Sequence, residues 1–148
     1  MGTVTHAIDV PEPQERVWAV ATRIEDLRRW LPEVASAELL DPELAVGSRV
    51  RLRLSPAMGN TELVGTVRAL RPPSELAIGG SGGPLTIEVR TRLAPNGTGT
   101  RVALEIRVSA SPLLGFIVRE AERRIDAELP GALERFRALL AAESANRG

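Results

Sequence analysis

The middle of the chain alternates between apolar and polar residues. In residues 48–55, 85–94 and 100–109 every second residue is mostly Val, Leu, Ile or Thr, and the positions between them hold many Arg and Glu. A period of two places the apolar side chains on one face of a β-strand and the charged ones on the other. These segments are predicted to form an antiparallel sheet with one covered face and one face in water.

The same reasoning, together with the turn residues, predicts seven strands. They are residues 3–10, 34–40, 48–55, 61–70, 75–79, 85–94 and 100–109. Pro, Gly, Asn or Asp occupies the connections between the later strands, as is usual for turns. The glycine-rich run 79–83 is interpreted as a flexible hairpin, because neither a cationic side chain nor a strand-to-helix step accompanies it.

Helical spacing of apolar residues occurs after the first strand and at the end of the chain. From about Glu12 to Pro32 it predicts two short helices in succession. Over residues 112–142 it predicts one long amphipathic helix with a kink at Pro130–Gly131, since proline lacks the N–H that a helix needs. Residues 143–148 are predicted to be a frayed tail.

These elements define the expected architecture. A strand, two short helices, six antiparallel strands and a long helix indicate an α+β fold in which the sheet can wrap around the helix. The length of 148 residues suits a single domain, residues 1–148, with its core over about 3–142.

Several short segments resemble the START-like superfamily of polyketide cyclase/dehydrase and lipid-transport proteins. The segment Ile8–Trp18, IDVPEPQERVW, is similar to the strand and "aPxexVW" opening of that family. Trp30-Leu-Pro32, Val46-Gly-Ser-Arg49 and Gly99-Thr-Arg-Val102 extend the likeness over about residues 3–140. The resemblance implies a helix-grip fold, in which a curved sheet and the long helix enclose a cavity for a hydrophobic ligand.

The resemblance, combined with the phases of the predicted strands, gives a set of expected ligand-binding residues. The mouth is expected near the second short helix, the loops 55–60 and 79–84, and the start of the long helix. Trp30 is either a mouth cap that stacks on a ligand or a packing residue. The expected lining residues are Trp30, Leu52, Leu54, Met58, Leu63, Val67, Leu76, Ile78, Ile87, Val89, Thr91, Leu104, Ile106, Leu114, Ile117, Val118, Ala121 and Ile125.

Composition removes much chemistry from consideration. All nineteen basic residues are Arg, and the chain contains no Lys, no Cys and no Tyr. Lysine Schiff bases, thiolate nucleophiles and cysteine-ligated metals are therefore excluded. With His6 the only histidine, no metal site and no cofactor is predicted; Glu122, Asp126 and Glu128 are interpreted as partners of neighbouring arginines on the surface of the long helix.

The balance of charge bears on partners and location. Net charge is zero, and arginines on the strands are interleaved with glutamates, which favours ion pairs on a wet face over a nucleic-acid surface. The chain has no apolar run long enough for a membrane span and no signal peptide, so a cytoplasmic protein without stable membrane insertion is expected. It is expected to be a monomer or a homodimer.

Three functions are compatible with this sequence, and whether the protein is an enzyme stays open. The first is binding or carriage of a small hydrophobic molecule, lipid or polyketide-like, in an aliphatic cavity. The second is a polyketide cyclase or dehydratase using His6, the candidate catalytic acid/base, with a wall hydroxyl such as Thr91; the alternative for His6 is a buried ring bonded to a backbone or hydroxyl group. The third is a co-chaperone-like interaction module, for which no exposed apolar patch is expected.

Overall fold

The structure, a computed structural model, describes residues 2–147 and consists of one curled antiparallel sheet around a long helix. Met1 and Gly148, at the ends of the predicted domain, lie outside the described residues. The sheet has seven strands in the order β1-β7-β6-β5-β4-β3-β2, all antiparallel to their neighbours. The elements are β1 (Gly2–Val10), α1 (Gln14–Ala21), a 3₁₀ helix (Ile24–Arg29), β2 (Val34–Leu39), β3 (Arg49–Leu54), a 3₁₀ turn (Pro56–Met58), β4 (Glu62–Arg71), β5 (Glu75–Gly82), β6 (Leu85–Asn96), β7 (Gly99–Ala110), a 3₁₀ turn (Pro112–Leu114) and α2 (Gly115–Arg147). The predicted α+β helix-grip fold is confirmed.

The concave face of the sheet carries the apolar residues that the alternation predicted, and α2 packs against it. Residues in register across neighbouring strands form rows; one row runs from Leu76 through Thr91 and Leu104 to His6. The buried face of α2 contributes Leu129 and Leu133, which are almost completely shielded from solvent. Burial of these two facing apolar surfaces stabilises the fold by about 25 cal/mol per Å².

The convex face carries arginines, most of which pair with a carboxylate on a neighbouring strand. Nη1 of Arg51 lies 3.1 Å from Oε1 of Glu38 on β2. Nη1 of Arg90 lies 2.6 Å from Oε2 of Glu75 on β5. The predicted use of these arginines in cross-strand ion pairs is confirmed, although each exposed pair contributes only about 0–1 kcal/mol.

A pair of glycines allows the backbones of β4 and β5 to approach closely. Gly65 and Gly80 are in register and lie in a row with Val50 on β3 and Ile87 on β6. A Cβ atom built on Gly80 would lie 2.5 Å from Cα of Gly65, and one on Gly65 would lie 2.5 Å from the carbonyl oxygen of Gly79. The two strands therefore approach so closely that no side chain fits between them, which permits a sharp bend.

The largest difference from a predicted strand boundary is at the end of β5, and two short helical segments also differ from the predictions. The strand expected to end at residue 79 continues as β5 to Gly82, so most of the glycine-rich run is strand and only the turn at Gly83 remains. Glycine lowers strand propensity, but pairing with β4 and β6 on both sides overrides that preference. The second short helix is 3₁₀ rather than α-helical, and Pro56–Met58 forms a 3₁₀ turn that periodicity did not indicate.

Residues 143–147, expected to belong to a frayed tail, continue helix α2. Helix α2 ends at Arg147, because Glu143 forms an ion pair with Arg23 and the hydroxyl of Ser144 accepts a hydrogen bond of 3.3 Å from Nη1 of Arg16. The helix also continues through Pro130, where the predicted kink stays a prediction.

Trp30 is a core residue. Its side chain is 1% exposed, and its ring centroid lies 4.5 Å from that of Phe136 on α2. Its carbonyl oxygen accepts a hydrogen bond of 3.1 Å from Nη2 of Arg135. The interpretation of Trp30 as a cap at the mouth is therefore wrong: the apolar interior under α2 provides more burial for the indole than an open rim does.

Candidate functional site

An open apolar pocket of about 300 Å³ lies between the start of α2, the 3₁₀ turn Pro56–Met58 and the first residue of β6. We call it the mouth pocket. Its wall consists of Ala57, Met58, Leu85, Phe116, Ile117, Glu120, Ala121 and Arg124. Ligand pockets for small molecules start at about this volume.

Two small voids lie deeper, between the concave face of the sheet and the helices. One, of about 30 Å³, shares Met58 with the mouth pocket and is lined by Leu31, Pro32, Glu33, Val34, Leu52, Leu54, Leu63, Ile87, Val89, Ile106 and Ile125. The other, of about 10 Å³, is lined by Leu27, Leu31, Leu52, Leu76, Ile78, Val89 and Thr91. Each has room for about one water molecule at most. The single main cavity that was expected is thus divided into a mouth pocket and two interior voids.

Most of the expected lining residues border this space. Leu52, Leu54, Met58, Leu63, Leu76, Ile78, Ile87, Val89, Thr91, Ile106, Ile117, Ala121 and Ile125 line the mouth pocket or one of the voids. Trp30, Val67, Leu104, Leu114 and Val118 line none of these three spaces. Val67, Leu104 and Val118 are buried in the core instead, because a correct strand or helix phase puts a residue on the inner face without deciding whether it borders a void or packs solidly.

The prediction missed a polar cluster beside the voids. It consists of Glu33, Ser55, Arg124 and Glu128, and we call it the Glu33 cluster. Nε of Arg124 donates a hydrogen bond of 2.8 Å to Oε1 of Glu33, and the Ser55 hydroxyl donates to Oε2. Nη2 of Arg124 lies 4.0 Å from Oε1 of Glu128.

Glu33 is held in place by its backbone as well. Its φ angle of 61° lies in the left-handed region, which residues other than glycine seldom adopt. Its carbonyl oxygen accepts a hydrogen bond of 2.9 Å from the backbone N–H of Ser55. The side chain is 7% exposed. These interactions fix a nearly buried carboxylate at the junction between the aliphatic interior and the surface.

The pKa of each carboxyl group in the Glu33 cluster depends on the other carboxyl group. Burial raises the pKa of Glu33, but hydrogen bonds with Glu128, Ser55 and Arg124 outweigh it and hold that pKa below its ordinary value. Burial, a hydrogen bond with Glu33 and repulsion by its charge raise the pKa of Glu128. Glu33 thus carries the negative charge that pairs with Arg124, and Glu128 retains a proton to higher pH than an isolated glutamic acid.

Glu128→Gln is expected to stabilise the protein at neutral pH and to leave its stability unchanged at pH 4. Because folding raises the pKa of Glu128, its contribution to stability is complete below its ordinary value of 4.5 and is lost as the pH rises through the raised pKa. Glutamine does not ionise, so the variant does not lose this stability as the pH rises. The gain at pH 7 is expected to stay below about 1 kcal/mol, since Glu128 is 39% exposed and water screens its charge.

Chemical denaturation of both proteins at pH 4 and pH 7 measures this effect. Glu43→Gln, at an exposed loop carboxylate away from the cluster, is the matched control and should show no comparable gain. A gain at pH 4 equal to that at pH 7 would contradict the proposed repulsion.

His6 lies at the edge of the sheet, outside the mouth pocket and both voids. As expected, its ring points towards α2, where Nε2 lies 2.8 Å from Oδ1 of Asp126. The side chain is one-third exposed, so the interpretation as a buried ring bonded to a backbone or hydroxyl group is wrong. Leu104 on β7 separates His6 from Thr91 on β6, and the structure does not bring the proposed catalytic pair together.

The acidic residues of α2 also differ in part from their interpretation. Asp126 contacts His6 on β1, whereas Glu128 lies 4.0 Å from Arg124 four residues earlier, as interpreted, and in addition faces Glu33 before β2. Within residues 2–147 no group of three or more His, Asp or Glu side chains is arranged to hold a metal ion. None of the helices in this range is long and apolar enough to cross a membrane.

The family model described as "Polyketide cyclase / dehydrase and lipid transport" matches residues 1–141. The chain belongs to this family. The resemblance noted in the sequence is thereby confirmed for nearly the whole chain. A search of the curated proteins gave no match.

Solved structures share the fold of this polyketide cyclase/dehydrase and lipid-transport family member. TTHA0849 from Thermus thermophilus is 24% identical, with a TM-score of 0.78 and coverage of 97% of this chain and 99% of the other. A START superfamily protein from Mycobacterium smegmatis is 14% identical, with a TM-score of 0.76 and coverage of 95% and 97%. CalU16 from Micromonospora echinospora is 21% identical, with a TM-score of 0.63 and coverage of 97% and 79%. At these identities the likeness establishes the fold alone.

Proposed function

We propose that this protein binds or carries a small hydrophobic molecule, lipid or polyketide-like, which enters through the mouth pocket. The observation that carries the proposal is the continuity of apolar surface from the mouth pocket, through Met58, to the aliphatic concave face of the sheet. Membership of a family that includes lipid-transport proteins supports it.

The interior voids imply how such a ligand is accommodated. Each void has room for about one water molecule at most, so the ligand displaces side chains at the junction rather than filling an empty chamber. Met58 is suited to this role, because its unbranched side chain has several rotatable bonds and it lies in a short 3₁₀ turn. Affinity then comes chiefly from apolar burial at about 25 cal/mol per Å².

Native mass spectrometry after incubation with a mixed lipid extract tests the proposal directly. Ala121→Phe places a ring in the mouth pocket and is expected to reduce ligand uptake at least about tenfold, because the aromatic ring takes the space next to Ile117. Ala138→Phe, at an exposed position of the same helix away from the mouth, is the control and should bind like the wild type. Absence of any retained hydrophobic molecule in the wild type would refute the proposal.

His6→Gln distinguishes carriage from the cyclase or dehydratase alternative. Because His6 bonds to Asp126 outside the pockets, the change is expected to leave hydrophobic-ligand affinity within a few fold. Loss of a catalytic acid or base would instead lower a rate by about 10²–10⁴-fold. Turnover of polyketide substrates by the wild type that disappears in His6→Gln would favour the enzyme.

The remaining parts of the proposal concern location and partners. We infer a cytoplasmic monomer or homodimer that uses no nucleic-acid partner, no cofactor and no metal. Ion pairing of the convex-face arginines supports the exclusion of nucleic acid. A co-chaperone-like role is less well supported, although Leu113 and Phe116 near the mouth are exposed, contrary to the expectation of no exposed apolar residues grouped together.

A further inference from the structure

The Glu33 cluster brings one charged donor to the mouth pocket with part of its hydrogen-bonding capacity unused. Among residues 2–147, the guanidinium of Arg124 makes its hydrogen bond to Glu33 through Nε. Nη2 is 4.0 Å from Glu128, beyond hydrogen-bond distance. Because the guanidinium is planar and rigid, fixing Nε also fixes the directions of the two Nη groups. Arg124 therefore offers oriented donors at the mouth.

The position of the cluster relates these donors to the apolar space. Arg124 lines the mouth pocket, and Glu33 lines the larger void on the other side of Met58. A molecule whose aliphatic part replaces Met58 at this junction would have one end within reach of Arg124. Apart from Arg124 and the carboxylate of Glu120, the residues of the mouth pocket are apolar, so an acceptor buried at any other point of the ligand would find no donor and would lose its hydrogen bonds with water.

The charges of the cluster determine which acceptor is suitable. Glu33 already neutralises Arg124, and Glu128 adds a second carboxyl group beside it. Glu120, which also lines the mouth pocket, is paired with Arg123 at 2.6 Å. A carboxylate at this place would meet no uncompensated positive charge, whereas a neutral carbonyl oxygen can accept from Nη without repulsion.

We infer that Arg124, positioned by Glu33, recognises the neutral carbonyl oxygen of an amphiphilic ketone or ester whose aliphatic chain occupies the mouth pocket. This selectivity rests on the proposed hydrophobic-ligand function and specifies its ligand class. The serine and the left-handed backbone of Glu33 hold the carboxylate that orients the guanidinium. Ionised fatty acids are excluded by the same carboxylate.

Three probes of nearly equal shape separate this inference from the proposed function. Decan-2-one carries the carbonyl, 2-methyldec-1-ene replaces its oxygen by a methylene group, and decanoate at pH 8 carries a full negative charge. Each is titrated against the protein loaded with N-phenyl-1-naphthylamine, a neutral apolar fluorophore, and its displacement is measured. Failure of the fluorophore and of the alkene to bind would overturn the proposed function itself.

Arg124→Met is expected to weaken the binding of decan-2-one about tenfold and to change the affinity for 2-methyldec-1-ene less than twofold. This is the effect of losing one hydrogen bond to a charged donor. An equal loss for both probes, or no loss for the ketone, would overturn the inference while leaving hydrophobic binding intact. If Arg124→Met does not fold, Glu33→Gln decides the matter, since glutamine keeps the shape of the side chain and removes its charge. This variant is expected to bind decanoate about tenfold more tightly relative to the alkene. An unchanged ratio of the two affinities would overturn the inference.

Discussion

Replacement of Leu104 by Asp is expected to unfold the protein. Leu104 is fully buried on β7, between His6 on β1 and Thr91 on β6. The neighbouring His6 is already bonded to Asp126, so a buried carboxylate in that position gains no free cationic partner from it and costs several kcal/mol. Total stability of a domain is about 5–15 kcal/mol, so this single change removes much of it. Circular dichroism during thermal melting measures the effect.

Val64→Asp is the matched control for this prediction. Val64 lies on the convex face of β4, is 49% exposed and pairs with Arg51 on β3. The new carboxylate remains hydrated and faces an arginine, so stability is expected to change by no more than about 0.5 kcal/mol. A larger loss for Val64→Asp than for Leu104→Asp would mean that the faces of the sheet are inverted.

Phe136→Ala is expected to cost about 3–5 kcal/mol, the range seen when a buried aromatic ring is removed. Phe136 is completely buried on α2, and its ring contacts that of Trp30, so the substitution leaves a cavity beside the indole. Urea denaturation measures the loss as a lower midpoint with an unchanged slope.

Phe116→Ala provides the comparison on the same helix. Its side chain is 62% exposed at the mouth, and its removal is expected to cost less than about 1 kcal/mol. Equal losses for the two variants would show that Trp30 and Phe136 do not form the core contact described above.

The strand phases were predictable because a half-covered sheet imposes a period of two on the sequence. Arg51 and Arg53 alternate with Leu52 and Leu54, and the structure places the two sets on opposite faces. The long helix was predictable for the equivalent reason, since its buried face repeats every three to four residues over Ile125, Leu129 and beyond. Such patterns report which side of an element is covered.

These periodic patterns do not show which elements of the fold contact each other. Arg124 and Glu33 are 91 positions apart, and their hydrogen bond depends on how α2 crosses the loop before β2. Local spacing indicated the pairing of Glu128 with an arginine on the same helix, which the structure has with Arg124, but it did not indicate that Glu128 also faces Glu33. A left-handed backbone at Glu33 also has no signal in its residue type, because glutamate is not favoured there.

The glycine pair between β4 and β5 affects the size of the interior rather than the polarity of its wall. Gly65 and Gly80 present no side chain to a ligand, yet they set how closely β4 approaches β5. A larger residue at either position would push the two strands apart, and the aliphatic wall formed by neighbours such as Leu63 and Ile78 would keep its composition. Because the two glycines lie in register with Val50 and Ile87 on the concave face, a larger side chain at either position would also project into the interior, so these two positions help to set the volume available to a guest.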